Sequence, residues 1–259
     1  MGRIISIANQ KGGVGKTTTA INLASSLAHA GKKTLSIDMD PQANSTTGLG
    51  FDLEAVSKST YEMLIHNMGI EEAILKTMMP NMDLIPAHIR LVGAEVELVN
   101  LEDREQMFLH AVKPIRDKYE FVLIDCPPSL GLLTLNSLTG SDSVLIPIQC
   151  EYYALEGLRQ LLNTIRLVQR HLNTALTIEG VLLTMFDSRL NLSNQVVSEV
   201  KEYFKDKVFK NVIHRNIKLG EAPSYGKPII LYDPASVGAQ DYMGLAKEVI
   251  HNVLTPHPV

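Results

Sequence analysis

Residues 9–18 read Asn-Gln-Lys-Gly-Gly-Val-Gly-Lys-Thr-Thr, and no other stretch narrows the fold of this chain as much. The segment follows a short aliphatic run, Ile4-Ile5-Ser6-Ile7, and leads into a helical pattern from Thr17 to Ala30 that closes on Gly31 as a C-cap. Gly12, Gly13 and Gly15 allow the backbone to curl until successive N–H groups converge on one point. The helix behind them adds the unpaired donors and positive dipole of its N-terminus. Such a turn is built for phosphate. Lys11, Gly12, Gly13, Val14 and Gly15 would wrap a polyphosphate, and Lys16 would bring a cation to its β- and γ-groups. The Thr17 hydroxyl suits Mg²⁺, and Thr18 suits the α-phosphate side. ATP with Mg²⁺ is the expected cofactor. In one respect the loop departs from the common P-loop: Gln10 occupies the place of the first glycine, and Lys11 follows it.

Similar aliphatic runs recur at Thr34-Leu35-Ser36-Ile37, Phe121-Val122-Leu123-Ile124, Ser143-Val144-Leu145-Ile146 and Ile178 to Leu183. They lack polar alternation, as strands do when a sheet is covered on both faces. Helical patterns at Leu155–Leu172 and Asp241–Leu254 join the one after the loop. The expected fold is α/β, a doubly wound, mostly parallel sheet with helices on both faces. From about Gly50 to Leu101 the pattern is less regular, with several short helical stretches. No linker, repeat or low-complexity segment breaks the chain, so a single domain over 1–259 is expected.

Two strands end in carboxylates, at Ile37-Asp38-Met39-Asp40-Pro41-Gln42 and at Ile124-Asp125-Cys126-Pro127-Pro128. Carboxyl ends of strands form the ligand rim of an open α/β sheet. Asp125 fits a metal held through water, Asp38 is a further candidate for the metal, and Asp40 fits a group that positions the attacking water. Taken singly, each is equally a turn or helix-cap residue; the phosphate loop is what favours function. Composition sets other bounds. The net charge is −4, so a whole-surface nucleic-acid coat is excluded and any DNA contact must be local. With no Trp and few aromatics, a base-stacking platform is not expected. Two cysteines make no disulfide framework. No signal-peptide pattern and no apolar run of roughly 20 residues is present, so a cytoplasmic protein without membrane partners is expected.

The segment KGGVGKTT resembles the deviant Walker A motif of the MinD/ParA superfamily. The runs DMDPQ, DCPPSLG, IPIQCEYYALEGL, LLTMFDSR and RNIKLGEAPSYGKPIILYDP extend a resemblance to ParA/Soj-type partitioning ATPases over nearly the whole chain. The resemblance implies that Lys11 reaches across an ATP-dependent homodimer to the partner's phosphates. It implies that Lys16 and Asp40 take part in hydrolysis and that the segment around Arg215 and Asn216 contacts adenine. His214 departs from the proline often found there, and Lys218 from the arginine of some members. The resemblance further implies nucleoid association, non-specific binding of double-stranded DNA through Arg189 and Lys218, and stimulation by a ParB-type centromere-binding protein. Only eight residues precede Asn9, which matches the short ParA type without a site-specific DNA-binding domain.

Lys201, Lys205, Lys207, Lys210, Arg215 and Lys218, with Arg189 upstream and Lys227 downstream, form the one clearly positive stretch. Interleaved Glu202 and Asp206 make a solvated helix face the simpler explanation from composition; the resemblance favours phosphate contacts at Arg189 and Lys218. Two other classes fit the sequence less well. A membrane-surface ATPase like MinD needs a polybasic C-terminal helix, whereas Lys247 is balanced here by Glu248. An iron–sulfur carrier needs paired cysteines at a dimer face, and Cys126 and Cys150 fit buried structural thiols better.

Overall fold

The structure, a computed structural model, describes residues 2–151 and 158–254. Its strands are β1 (Arg3–Ile7), β2 (Thr34–Asp38), β3 (Leu75–Lys76), β4 (Met82–Ile85), β5 (Phe121–Asp125), β6 (Ser143–Gln149) and β7 (Thr177–Thr184). They form one sheet in the order β3-β4-β2-β5-β1-β6-β7, parallel throughout except for the β3–β4 pair. The helices are α1 (Lys16–His29), α2 (Asn44–Gly48), α3 (Thr60–Ile65), α4 (Leu91–Glu97), α5 (Met107–Val112), α6 (Leu132–Thr139), α7 (Leu158–His171), α8 (Asn191–Phe204), α9 (Ile217–Glu221), α10 (Ile229–Tyr232) and α11 (Val237–Leu254).

Successive strand residues point to opposite faces. Ile4, Val122 and Val144 lie in one apolar core with Leu64 of α3, Leu91 of α4, Phe108 of α5, Leu133 of α6, Ile165 of α7 and Val200 of α8. Their neighbours Ile5, Leu123 and Leu145 lie in a second core with Leu23 and Leu27 of α1 and Leu245 and Val249 of α11. Both faces of the sheet are therefore dry, which explains the unbroken aliphatic runs. Each fully buried Leu or Ile contributes on the order of 1.5–3 kcal/mol.

The five predicted strands form where expected. The strands β3 and β4 were not anticipated, because β4 is only four residues long and carries a charge. Asp83 within it is buried, accepting from Tyr119 Oη at 2.7 Å and Lys76 Nζ at 2.8 Å. Short helices also occupy this region, and α3 begins with a capping box between Ser59 and Glu62. α1 ends as expected, in a Schellman turn: Gly31 N donates to Ala28 O (3.0 Å) and Lys32 N to Leu27 O (3.1 Å). α11 begins four residues before the expected Asp241, since Ser236 caps it by accepting from Ala239 N at 3.2 Å. Of the Leu155–Leu172 helix, residues 155–157 lie outside the described residues.

Two glycines join the loop after α2 to the turn before α10. Gly50 (φ +86°) and Gly226 (φ +63°) pack backbone to backbone, and a Cβ on Gly226 would lie 2.6 Å from Gly50 Cα. Gly226→Ala is expected to cost about 1–3 kcal/mol through left-handed strain and this collision. A urea titration would register it as a lower midpoint at unchanged slope.

Candidate nucleotide-binding site

The helices that follow the neighbouring strands β1 and β5 leave to opposite faces, α1 to one core and α6 to the other. A crevice forms at the carboxyl ends of such strands, and the glycine loop occupies it. Asn9 anchors the loop's start: its Nδ2 donates to Pro147 O beyond β1 (2.7 Å), and its Oδ1 accepts from Lys11 N (3.0 Å). Thr184, at the end of β7, donates to Val14 O (2.8 Å) and anchors the other side. Gly13 (φ +74°) and Gly15 (φ +90°) take left-handed conformations, and open space lies in front of Gly12 and Gly13. Thr19 N makes the turn's bond to Gly15 O (2.9 Å), so the N–H groups ahead of it in the first turn of α1 have no carbonyl of the helix to bond.

Lys16 is 7% exposed and its Nζ donates to Lys11 O (3.0 Å). Burial lowers its pKa, opposed by the negative charge of Asp125 and Asp40 nearby. A polyphosphate would restore the charge balance that burial removes.

Asp38 and Asp125 face each other across the β2–β5 ladder. Asp38 is fully buried. Thr46 donates to its Oδ2 through both N (2.8 Å) and Oγ1 (2.7 Å), and Asp40 N donates to its Oδ1 (3.2 Å). Ser45 Oγ donates to Asp125 Oδ2 (2.7 Å), while Asp125 Oδ1 is buried with no hydrogen-bond partner. Both carboxyls are pushed above the ordinary carboxylate range, Asp38 by burial and then by the charge of Asp125, and Asp125 by burial, which hydrogen bonds from the Ser45 and Thr17 hydroxyls partly offset. An unpartnered buried oxygen, on a carboxyl that the Thr17 hydroxyl also approaches, fits a hydrated divalent cation. Asp38 has both oxygens engaged and holds the loop that follows β2. Asp40 lies at the rim, its Oδ1 accepting from Gln42 N (2.9 Å). Between them and α2, fully buried Ala43 sits at φ +52°, a conformation an L-residue adopts only when its surroundings impose it.

Ser45, Thr46 and Thr184 carried no expectation from the sequence. The hydroxyl-rich run Asn44-Ser45-Thr46-Thr47 after the Asp-Pro turn was the available signal. Nothing local marked Thr184, whose partner Val14 lies 170 residues away, or the bond from Asn9 at the head of the loop to Pro147, 138 residues away.

A cavity of about 510 Å³ continues from Gly15 and Thr18 to Met185, His214, Arg215, Asn216, Leu219 and Tyr242. It has the size and apolar lining of a nucleoside site. Arg215 donates its N to Phe186 O (2.9 Å) and its Nη2 to Glu151 Oε1 (2.9 Å). Asn216 caps α9, its Oδ1 accepting from Lys218 N (2.8 Å). The structure thus brings the loop, the three carboxylates and the Arg215–Asn216 segment to one rim. Arg189 lies off this rim, 86% exposed and bonded to Asp187 (2.7 Å), whose pKa falls to about 2 through that contact. Lys218 Nζ bonds Glu221 Oε2 (2.9 Å) above the Tyr232 ring. Cys126 and Cys150 are buried and free, their thiols pushed up to about 12 and about 11 by burial. Among the described residues no group of three or more His, Cys, Asp or Glu could hold a metal ion.

A glycine loop between a central parallel strand and its helix, faced by an aspartate on the adjacent strand, defines a P-loop nucleoside triphosphatase. Residues 2–178 match the family model described as an AAA domain. The sporulation initiation inhibitor protein Soj of Bacillus subtilis is 59% identical over 252 residues, covering 97% of this chain and 100% of Soj. The chromosome partitioning protein ParA of Myxococcus xanthus is 55% identical over 250 residues, covering 96% of this chain and 88% of ParA. In structure, the cobyrinic acid a,c-diamide synthase of Mycobacterium smegmatis with bound ADP and magnesium superposes with a TM-score of 0.88 at 35% identity, over 99% of this chain and 97% of that one. This chain belongs to the ParA/Soj family of partitioning ATPases. It is an ATPase, and its cofactors are ATP and Mg²⁺.

Proposed function

We propose that residues 1–259 form one ATPase domain that works as an ATP-gated dimerisation switch on DNA. The observation that carries this reading is the placement of Lys11. It stands beside the exposed Gly12 and Gly13 at the tip of the loop, with no ion pair among the described residues, while its carbonyl accepts from Lys16. A cation at the tip of a phosphate loop, with no acid to neutralise it, is free to serve phosphates on a facing subunit. Nucleotide phosphates would also compete with the Lys11 carbonyl for Lys16, tying the loop tip to nucleotide occupancy.

In this reading the N–H groups of Gly12 to Thr18 and the Lys16 ammonium hold the triphosphate. Thr17 and Asp125 hold Mg²⁺, Asp125 through water, and Asp38 holds the loop after β2 rather than the metal. Bound Mg²⁺ would neutralise charge that develops on the phosphate oxygens. Asp40 orients the attacking water at the rim. Arg215 and Asn216 border the base. The dimer then presents Arg189 and Lys218 of both subunits to the phosphates of double-stranded DNA. Their exposed ion pairs with Asp187 and Glu221 are exchangeable, because such pairs contribute little in water. Doubling the patch turns weak contacts into useful affinity. A ParB-type partner stimulates hydrolysis and so releases the dimer from the nucleoid.

Binding to random-sequence duplex DNA and to anionic vesicles, each with ATP, ADP or no nucleotide, tests the proposal. DNA binding is expected with ATP alone and weakens as salt rises. Arg189→Glu is expected to abolish it without changing ATP affinity, and Lys218→Ala to lower the salt slope by about one phosphate contact. Vesicle binding without DNA binding would overturn this reading. Among the described residues no helix is long and apolar enough to cross a membrane.

A further inference from the structure

The nucleoside cavity contains one side chain whose hydrogen-bonding capacity is set by a neighbour on another element. His214 lines the cavity, and its side chain is 42% exposed. Its Nδ1 lies 3.0 Å from Asp241 Oδ2 and 3.2 Å from Oδ1. The same carboxylate accepts from the His214 backbone N at 2.9 Å. Asp241 belongs to α11, so α11 grips both the main chain and the ring of this residue. Phe186 packs edge-on against the ring, with centroids 5.6 Å apart, and limits its rotation.

The tautomer follows from the partner. A carboxylate only accepts, so the ring proton of a neutral imidazole sits on Nδ1. Nε2 is then left with a lone pair and has no hydrogen-bond partner among the described residues. With Nδ1 held by Asp241, Nε2 is the ring nitrogen left without a partner in a residue that lines the cavity. A held acceptor in a nucleoside pocket discriminates between purines. The 6-amino group of adenine donates there, whereas the 6-oxo group of guanine sets one lone pair against another.

We propose that His214, oriented by Asp241, reads the 6-amino group of the base through Nε2 and is a determinant of adenine specificity. The assignment rests on the nucleotide site and not on dimerisation or DNA binding. The phosphate loop borders the cavity through other residues, Gly15 and Thr18. Affinity for the phosphates and discrimination between bases are therefore separable.

The test is equilibrium binding of ATP, GTP and purine riboside triphosphate, which lacks the 6-amino group, to the full chain and to His214→Leu and His214→Gln. The intact protein is expected to bind ATP about 5- to 10-fold more tightly than the purine analogue, the effect of one hydrogen bond. His214→Leu is expected to bind ATP and the analogue alike, near the wild-type affinity for the analogue, and to lose part of its preference over GTP. His214→Gln offers a carbonyl acceptor and is expected to recover part of the preference. Equal binding of ATP and the analogue by the intact protein would refute the proposal, as would a preference that survives in His214→Leu. Equal loss of all three triphosphates in His214→Leu would also refute it, since the ring would then support the pocket without reading the base. Failure of the intact protein to bind any triphosphate would instead strike at the phosphate loop.

Discussion

Lys11→Ala is expected to bind ATP as a monomer and to lose partner-stimulated hydrolysis by about 10³–10⁵-fold, the range attributed to a cation supplied in trans to a phosphoryl-transfer site. The expectation follows from the division of labour within the loop. Lys16 is buried, its Nζ held on Lys11 O of its own loop. Lys11 lies at the tip, its backbone N and carbonyl engaged and its ammonium without an ion pair among the described residues. Removing its side chain therefore leaves the N–H cradle and Lys16 intact, so nucleotide affinity should change little. Size-exclusion chromatography with ATP would show one species at monomer mass for the variant and a dimer for the parent. An ATP-dependent dimer in Lys11→Ala would mean that the second lysine is not the link between subunits.

Asp40→Ala is expected to give the opposite failure: a dimer that forms with ATP and does not come apart. Positioning and activating the attacking water contributes about 10²–10⁴-fold to such a reaction, so turnover should fall by that factor. The Asp40 side chain accepts only from Gln42 N and keeps 7% exposure, whereas Asp38 and Asp125 are fully buried. The substitution removes little packing, and the melting temperature should shift by no more than a few degrees. Asp38→Ala would differ sharply. It strips the partner from Thr46 N and Oγ1 in a fully buried place, so unfolding would obscure any effect on chemistry. Single-turnover hydrolysis beside a thermal melt distinguishes the two aspartates. Normal turnover in Asp40→Ala would remove this residue from the reaction.

Much of this site was legible before folding because its residues are contiguous. The loop from Lys11 to Thr18 carries its own strand, glycines and helix start, and each aspartate closes an aliphatic run. The expectation for the base came only through resemblance, since Arg215 and Asn216 lie in a stretch with no pattern of its own. Asp38 looked like a metal residue because position alone cannot separate two carboxylates at one rim. Thr46, eight residues further on, turns out to occupy it. The edge of the sheet was missed for a similar reason. β4 carries Asp83, and the partners that make that carboxylate tolerable, Lys76 and Tyr119, come from β3 and from a turn ahead of β5.

By itself the sequence determined the α/β class, the phosphate loop with its two lysines, and the strands that bury both faces. These are local matters, decided by periodicity, by the conformational freedom of glycine and by the charge carried on a helix's first turn. Tertiary structure decided which polar groups are already partnered. It gave Asp38 to Thr46, left Asp125 Oδ1 without a partner, paired Arg189 with Asp187, and set His214 against Asp241 in the lining of the cavity. A hydrogen bond depends on a separation of about 3 Å between groups that can lie far apart in the chain, and only the folded backbone sets that distance.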